Sequence, residues 1–373
     1  MKKLAFVIRY FQDKQFHGGG EKVFYKIIKF LSEKGYLIDV YCAETNAEKL
    51  DNVSVFVIDE YYSQYKPKTV EKFYDKVKEL MKDKEYHHII SENSTPPLDI
   101  TFLHGHTIVY RIYRKSFLSK ILYHIRSEKR LRMKYDKKWM EQGYNKIFAV
   151  SEIQKKDYIE NLNAPEDKIT VLPLAHNGMK EFLEKNYNKP LVFGMSAIGF
   201  ERKGGYIALN AVKKLSKYNF KVKIIYPKWK KNLGIRLFLK WFKLGEKVEF
   251  LGFQNDIENF YKSVDIMLIP SLEDTFNLTT IEGMSRGIPA IVSNRAGSYE
   301  ILTDKKDGFL FDIATNGTFS EINKEKSAEN LANTMKYIMD NKNILPEVSK
   351  NAYEIAKNYT WDNLFEKFEE AIQ

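Results

Sequence analysis

The chain has 373 residues, too many for one ordinary hydrophobic core and enough for two domains. Hydrophobic residues make up 44 %, ample material to bury, so disorder is not the default, and the single cysteine, Cys42, excludes an internal disulfide and fits a reducing compartment. The formal net charge is +11, but no recognised nucleic-acid-binding motif accompanies it, so no nucleic-acid partner is expected.

Met1-Lys2-Lys3 ahead of Leu4–Ile8 has the opening of a signal peptide, yet the apolar run breaks at Arg9 and no small-residue cleavage site follows. Leu4–Arg9 reads instead as a first strand. A loop, Tyr10–His17, leads to Gly18-Gly19-Gly20-Glu21, which opens a helix over Glu21–Lys34. Val23, Ile27 and Leu31 form the apolar stripe of that helix, with Phe24 and Ile28 beside it and Gly35 as its stop. Glycines at such a helix start let backbone amides approach a phosphate or a sugar ring. The spacing is neither the dinucleotide fingerprint nor a Walker loop, and by itself the triplet also describes a plain turn.

Leu37–Cys42, Val53–Ile58, His87–Ile90, Ile100–Leu103, Lys146–Val150 and Ile169–Leu172 are the further strands of a first α/β half. His104 and His106 follow Ile100–Leu103, at a strand's carboxyl end. No third ligand at useful spacing supports a zinc site. The pair suits hydrogen bonding to a sugar or phosphate, or a structural role for one of the two.

The polar Lys180–Pro190 stretch reads as a linker. The alternation then restarts with the strand Leu191–Met195, a helix through Tyr206–Leu215, the strands Val222–Tyr226 and Val248–Leu251, and a helix over Ile257–Val264. Arg202-Lys203-Gly204-Gly205 stands between the first strand and helix of this half. Two cations before a glycine-initiated helix can neutralise a diphosphate; an exposed basic turn is the plain alternative. Asp265–Ala290 then reads as strand, polar loop, helix over Leu278–Arg286 and second strand, with Asp274 and Glu282 bracketing the loop and the helix start. In a doubly wound sheet that junction is where ligands bind, and the helix start favours phosphate. A carboxylate nearby accepts hydrogen bonds from sugar hydroxyls. Together they suggest a nucleotide-sugar. Trp361–Ile372 closes the chain as one more amphipathic helix.

Two basic stretches stand out. Arg111–Lys138 holds eleven Lys/Arg against Glu128 and Asp136, and Lys228–Lys247 holds seven against Glu246, interleaved with Trp229, Leu233, Ile235, Leu237, Phe238, Leu239, Trp241 and Phe242. Each is either a helix lying in an anionic membrane interface or one burying a face in its own domain. The many large apolar residues of the second favour membrane contact. No stretch approaches the roughly 20 apolar residues of a spanning helix. The expected location is therefore cytoplasmic, peripheral on the inner face of the cytoplasmic membrane. Hydrolase elbows, Cys/His pairs and metalloprotease helices are absent from the sequence.

In order along the chain, these features resemble a glycosyltransferase of family 4, a group of retaining enzymes whose GT-B fold sets two Rossmann-like domains facing each other across a cleft. The likeness spans nearly the whole chain. It is strongest from Val150-Ser151-Glu152 through Gly308, in the pieces Ile169–Pro173, Arg202-Lys203-Gly204, Leu251-Gly252-Phe253 and Asp265–Ala290. Phe200–Gly204 and the strand entry at Leu98–Asp99 are similar to glucosyltransferases of the lipopolysaccharide core. The resemblance implies an acceptor-binding domain over 1–185, a nucleotide-sugar-binding domain over 186–355 and a helix over 356–373 packing back on the first.

It also implies roles. Glu282 holds the nucleotide ribose, and Asp274 (or, by a one-residue shift, Glu273) contacts hydroxyls of the transferred sugar. The backbone of Thr275–Thr279, including Phe276, Asn277, Leu278 and Thr279, approaches the sugar and diphosphate. Lys203 and Arg202 bind the diphosphate and stabilise it as it leaves. Gly19 and Gly20 close from the other domain, and His106 or His104 lies near the donor sugar. The implied catalytic set is His106, Lys203 and Asp274. The sequence departs from the family in carrying Asp274 rather than Glu, Asn277 where Gly is commoner, and Ile198 where many members carry a second phosphate-binding Arg.

The implied reaction moves a hexose, with retention, from a nucleotide-sugar (UDP-hexose is expected) to a cell-envelope glycan or lipid-linked acceptor such as lipopolysaccharide core. Cations replace a divalent metal, so no cofactor is expected. A non-catalytic nucleotide-sugar-binding or scaffold protein of the same fold is the competing reading; intact Glu282, Lys203 and glycine loop argue against it.

Overall fold

The computed structural model describes residues 2–13, 19–60, 62–63, 66–93, 95–96, 98–113, 127–254, 256–315 and 322–373. Gly18 and residues 114–126 of the first basic stretch lie outside them. The chain divides into two compact units, Met1–Leu172 with Phe365–Gln373, and Pro173–Leu364.

The first unit runs β1 (Lys3–Phe11), α1 (Gly19–Glu33), β2 (Leu37–Thr45), β3 (Val53–Val57), α2 (Pro67–Met81), β4 (His88–Glu92), β5 (Ile100–Phe102), α3 (Ile108–Tyr113), α4 (Ser127–Gln142), β6 (Lys146–Ala149), α5 (Glu152–Leu162) and β7 (Ile169–Val171). Its seven strands pair in parallel in the order β3-β2-β1-β4-β5-β6-β7. Strands of such a sheet are covered on both faces, which is why Leu4–Ile8 is one unbroken buried run. In α1 the stripe Val23, Phe24, Ile27, Ile28 and Leu31 is buried, and Gly35, at φ +86°, lets the chain turn out of the helix.

The second unit runs β8 (Leu191–Ser196), α6 (Gly205–Lys214), β9 (Phe220–Ile225), α7 (Leu233–Trp241), β10 (Val248–Leu251), α8 (Ile257–Lys262), β11 (Ile266–Ile269), α9 (Leu278–Met284), β12 (Ala290–Ser293), β13 (Phe309–Phe311), α10 (Lys324–Asp340) and α11 (Leu345–Ala356). Six parallel strands take the order β10-β9-β8-β11-β12-β13. Both sheets are doubly wound, as the alternation of strands and helices predicts. Chain direction across the sheet reverses between β1 and β4 in one and between β8 and β11 in the other. Ligands bind at the carboxyl ends of such strand pairs.

The units change over at Leu172 and Pro173, ahead of the 185/186 boundary expected from the polar stretch. That stretch is anchored in the second unit. Lys180 N–H donates to Ser285 O at 3.1 Å and Leu183 N–H to Arg286 O at 2.9 Å. Met179 and Leu183 pack on the second unit's core. The last helix, α12 (Trp361–Ile372), starts in the second unit, where Trp361 Nε1 donates to Asn177 Oδ1 at 3.3 Å. Its later residues belong to the first unit: Phe365 stacks on Phe30 at 4.5 Å, and Tyr36 OH donates to Glu369 at 2.9 Å.

Candidate functional site

In the second unit the loops leaving β8 and β11 lie against each other at the switch point. Leu272 N–H donates to Arg202 O at 2.9 Å, and Arg202 Nη1 donates to Glu273 O at 2.9 Å. Gly204 makes this approach feasible. It holds φ +76° ahead of α6, and a Cβ there would overlap the Pro270 carbonyl. Lys203 Nζ is consequently delivered onto Asp274 Oδ2, forming a half-buried ion pair, with Arg202 Nη1 3.9 Å from the same oxygen.

Asp274 Oδ2 also takes Asn277 Nδ2 at 2.9 Å and Ser271 Oγ at 3.4 Å. Of the two acidic candidates, Asp274 is the one whose carboxylate meets Lys203; Glu273 meets Arg202 through its carbonyl. Asn277 takes φ +77° itself, so it supplies the left-handed turn that the expected Gly would give. Its side chain further accepts from Thr279 Oγ1. Ile198 is exposed on the β8–α6 loop.

Four donor-side positions cluster around α9. Leu278 and Thr279 are half-buried at its start. Phe276 is buried, with its ring 6.4 Å from that of Tyr359 and its carbonyl taken by Ser298 N–H at 2.7 Å. Its ring and its carbonyl are therefore both engaged within the second unit. Glu282 lies further along α9, and its carboxylate accepts Tyr261 OH at 3.0 Å. Tyr261 in turn lies under Arg286, whose guanidinium is 4.4 Å from the ring centre and whose Nε donates to Glu258 at 2.8 Å. Burial, then the neighbouring Glu282 charge, pushes the Tyr261 hydroxyl well above its ordinary pKa, so it remains a donor.

In the first unit, Gly19 opens α1, and Gly20 rests on the His104 ring: a Cβ there would come within 2.8 Å of His104 Cγ. His104 lies edge-on to Phe24 and stacks on Phe102, and burial lowers its pKa to about 3. Its ring is neutral and lies among Gly20, Phe24 and Phe102. His106 differs. Its Nδ1 is 2.9 Å from Asp157 Oδ2, its ring stacks on Tyr110 at 4.0 Å, and its buried Nε2 has no hydrogen-bond partner among the described residues. Asp157 also accepts Thr107 N–H at 2.8 Å, Thr107 Oγ1 at 2.6 Å and Asn161 Nδ2 at 2.9 Å. A carboxylate offers only acceptors, so His106 Nδ1–H is the donor to Asp157.

The sequence reading missed three residues. Asp157 and Tyr261 sit in helices without any motif. Glu92 ends β4 at the first unit's switch point and accepts Arg9 N–H at 2.8 Å. Burial raises its pKa to about 7.

Two family models match, "Glycosyltransferase Family 4" over residues 17–177 and "Glycosyl transferases group 1" over residues 179–358. The chain is 25 % identical over 240 residues to the uncharacterized glycosyltransferase MJ1607 of Methanocaldococcus jannaschii, covering 58 % of this chain and 57 % of that protein. It is 37 % identical over 70 residues to the Escherichia coli UDP-Gal:alpha-D-GlcNAc-diphosphoundecaprenol alpha-1,3-galactosyltransferase, covering 19 % of this chain and 18 % of that one. The alignments thus span little more than half of the first relative and a fifth of the second. In fold it is similar to WaaG, a glycosyltransferase involved in lipopolysaccharide biosynthesis, with a TM-score of 0.74 at 16 % identity over 99 % of both chains. The two parallel-sheet units are those of the GT-B fold, and with both family models matched in tandem the chain belongs to the family 4, group 1 glycosyltransferases.

Proposed function

We propose that the protein transfers a hexose from UDP-hexose to a lipid-linked envelope glycan, with retention and without a metal. The meeting of Arg202 and Lys203 with Asp274 at the second unit's switch point is the observation that carries this reading. A nucleoside diphosphate is a strong ligand for two cations on a glycine-capped loop, and Asp274 then suits the sugar hydroxyls. Glu282, held by Tyr261, suits the ribose. The E. coli relative's own substrates, a UDP-sugar and a diphosphoundecaprenol-linked sugar, favour UDP and a lipid-linked acceptor. Such an acceptor would place the protein on the cytoplasmic face of the membrane; no helix among the described residues is long and apolar enough to cross it.

In the proposed step the acceptor oxygen bonds to the anomeric carbon on the face from which UDP departs. The bond to the β-phosphate oxygen breaks, and a phosphate oxygen of the leaving group takes the acceptor proton. The protein positions the reactants and stabilises the departing charge through Lys203 and Arg202. A thermal-shift panel of nucleotides and nucleotide-sugars, followed by turnover with the stabilising donor, tests the reading. UDP and one UDP-hexose should stabilise selectively. Undiminished turnover in both Lys203→Ala and Glu282→Ala would refute the site, and a strict need for Mg²⁺ or Mn²⁺ after EDTA would refute metal independence.

A further inference from the structure

Helix α7 packs one side and leaves the other bare. Ile235 is fully buried, and Phe238, Leu239 and, just past the helix end, Phe242 pack on the same core. At about 100° per residue, Leu233, Leu237 and Trp241 line up on the opposite side. They are 60 %, 54 % and 81 % exposed. The exposed Arg236 and Lys240 run along one edge of this stripe, and the exposed Lys228, Lys230, Lys231 and Lys243 extend the positive charge beyond both ends. No Asp or Glu occurs between Lys228 and Gly245. Single exposed leucines are ordinary on a soluble surface, but three large apolar side chains in register beside six cations form a continuous amphipathic ridge.

We propose that this face of α7 lies in the interface of an anionic bilayer, with Leu233, Leu237 and Trp241 at the acyl boundary and the cations against lipid phosphates. The inference deepens the lipid-linked-acceptor reading and rests on it for the choice of a bilayer over an acidic protein. A second copy of the chain fits the face badly, because a two-fold contact would set Arg236 and Lys240 against their own copies. The described part of the other basic stretch has no comparable ridge. In α4, Leu131, Met133 and Tyr135 are half-buried and Trp139 and Met140 are buried, leaving Arg130, Lys134, Lys137 and Lys138 exposed beside Glu128 and Glu141. That helix buries its apolar face in its own unit.

The test is co-sedimentation of the full chain with vesicles of phosphatidylcholine alone and of phosphatidylcholine mixed with phosphatidylglycerol, at low and high salt. The wild type should bind the anionic vesicles and be released by salt. Leu233→Ser/Trp241→Ser and, separately, Arg236→Glu/Lys240→Glu should each lower the partition coefficient at least about tenfold. All four side chains are exposed, so the thermal midpoint and the UDP-induced shift should remain those of the wild type. Vesicle binding unchanged in both variants, or stripe-dependent self-association in place of vesicle binding, overturns the inference. Vesicle binding without any nucleotide-induced shift leaves the bilayer contact standing and removes the donor-site reading.

Discussion

His106 donates a hydrogen bond from Nδ1–H to Asp157 Oδ2 at 2.9 Å, and its buried Nε2 has no hydrogen-bond partner among the described residues. Two bonds from Thr107 and one from Asn161 lock the carboxylate, so the imidazole cannot easily turn over. A ring nitrogen held this way suits a sugar hydroxyl, which can donate or accept. Asp157→Asn puts an amide where an acceptor is needed and favours the other tautomer. We expect a fall in kcat of about tenfold to a hundredfold, with UDP affinity unchanged because the diphosphate residues belong to the other unit. Steady-state kinetics alongside ¹⁵N spectra of the His106 ring decide the matter: an unaltered tautomer with full kcat would make the pair purely structural.

Lys203 is paired with Asp274, so the carboxylate and a diphosphate draw on the same cation. The two substitutions at this pair should therefore act in opposite directions on product binding. Lys203→Ala removes charge stabilisation of the leaving group and should lower kcat by about 10²–10³-fold. Asp274→Asn releases Lys203, and UDP should bind about fivefold more tightly, while transfer falls through loss of the sugar contact. Isothermal titration with UDP separates these outcomes; weaker UDP binding in Asp274→Asn would show that the carboxylate orders the loop rather than competing.

These residues also show what the sequence could and could not disclose. Strands buried on both faces are written as apolar runs, so Leu4–Ile8 and Ile266–Ile269 were legible. Arg202, Lys203 and Asp274 were legible because each lies beside a glycine or a strand end in a repeated pattern. Asp157 was not, since 51 residues separate it from His106 and only the packing of α5 near the β5–α3 loop joins them. Tyr261, 21 residues before Glu282, was hidden in the same way. Glu92 was overlooked because polar Ser91-Glu92 made β4 look finished at Ile90, although the strand runs on to the switch point. The 180–190 stretch looked like a linker by composition, but its carbonyl partners are in the turn after α9.

Glu92 makes stability depend on pH in a definite direction. Burial is the largest cause of its raised pKa, about 7, against an ordinary value near 4.5. The folded chain thus holds a proton that the unfolded chain releases. Stability from this group is complete below about pH 4.5 and is lost as pH rises through 7, an upper bound of about 3 kcal/mol. Asp136, raised to about 6 by burial, slopes the same way. His104 slopes oppositely, losing stability as pH falls from 6.5 toward 3. Glu92→Gln can keep the bond from Arg9 N–H without the buried charge. Its urea midpoint should match the wild type at pH 4 and exceed it at pH 8; equal midpoints at both would place Glu92 in contact with water.

Gly204 is where the fold and the site are the same constraint. Alanine there must hold φ +76° and place its methyl on the Pro270 carbonyl. Strain and overlap together should cost roughly 2–4 kcal/mol. The overlap is relieved only by moving the β8–α6 loop off the β11–α9 loop, which pulls Lys203 from Asp274 and Arg202 from the Glu273 carbonyl. Loss of UDP-induced stabilisation should therefore accompany the lowered midpoint. Gly245→Ala is the control, since no heavy atom lies within 4 Å of a Cβ there and its φ is not positive, so its midpoint should stay within about 0.5 kcal/mol of the wild type. If Gly204→Ala lost stability yet kept the full UDP shift, the two loops would have to be positioned for the ligand by something other than this contact.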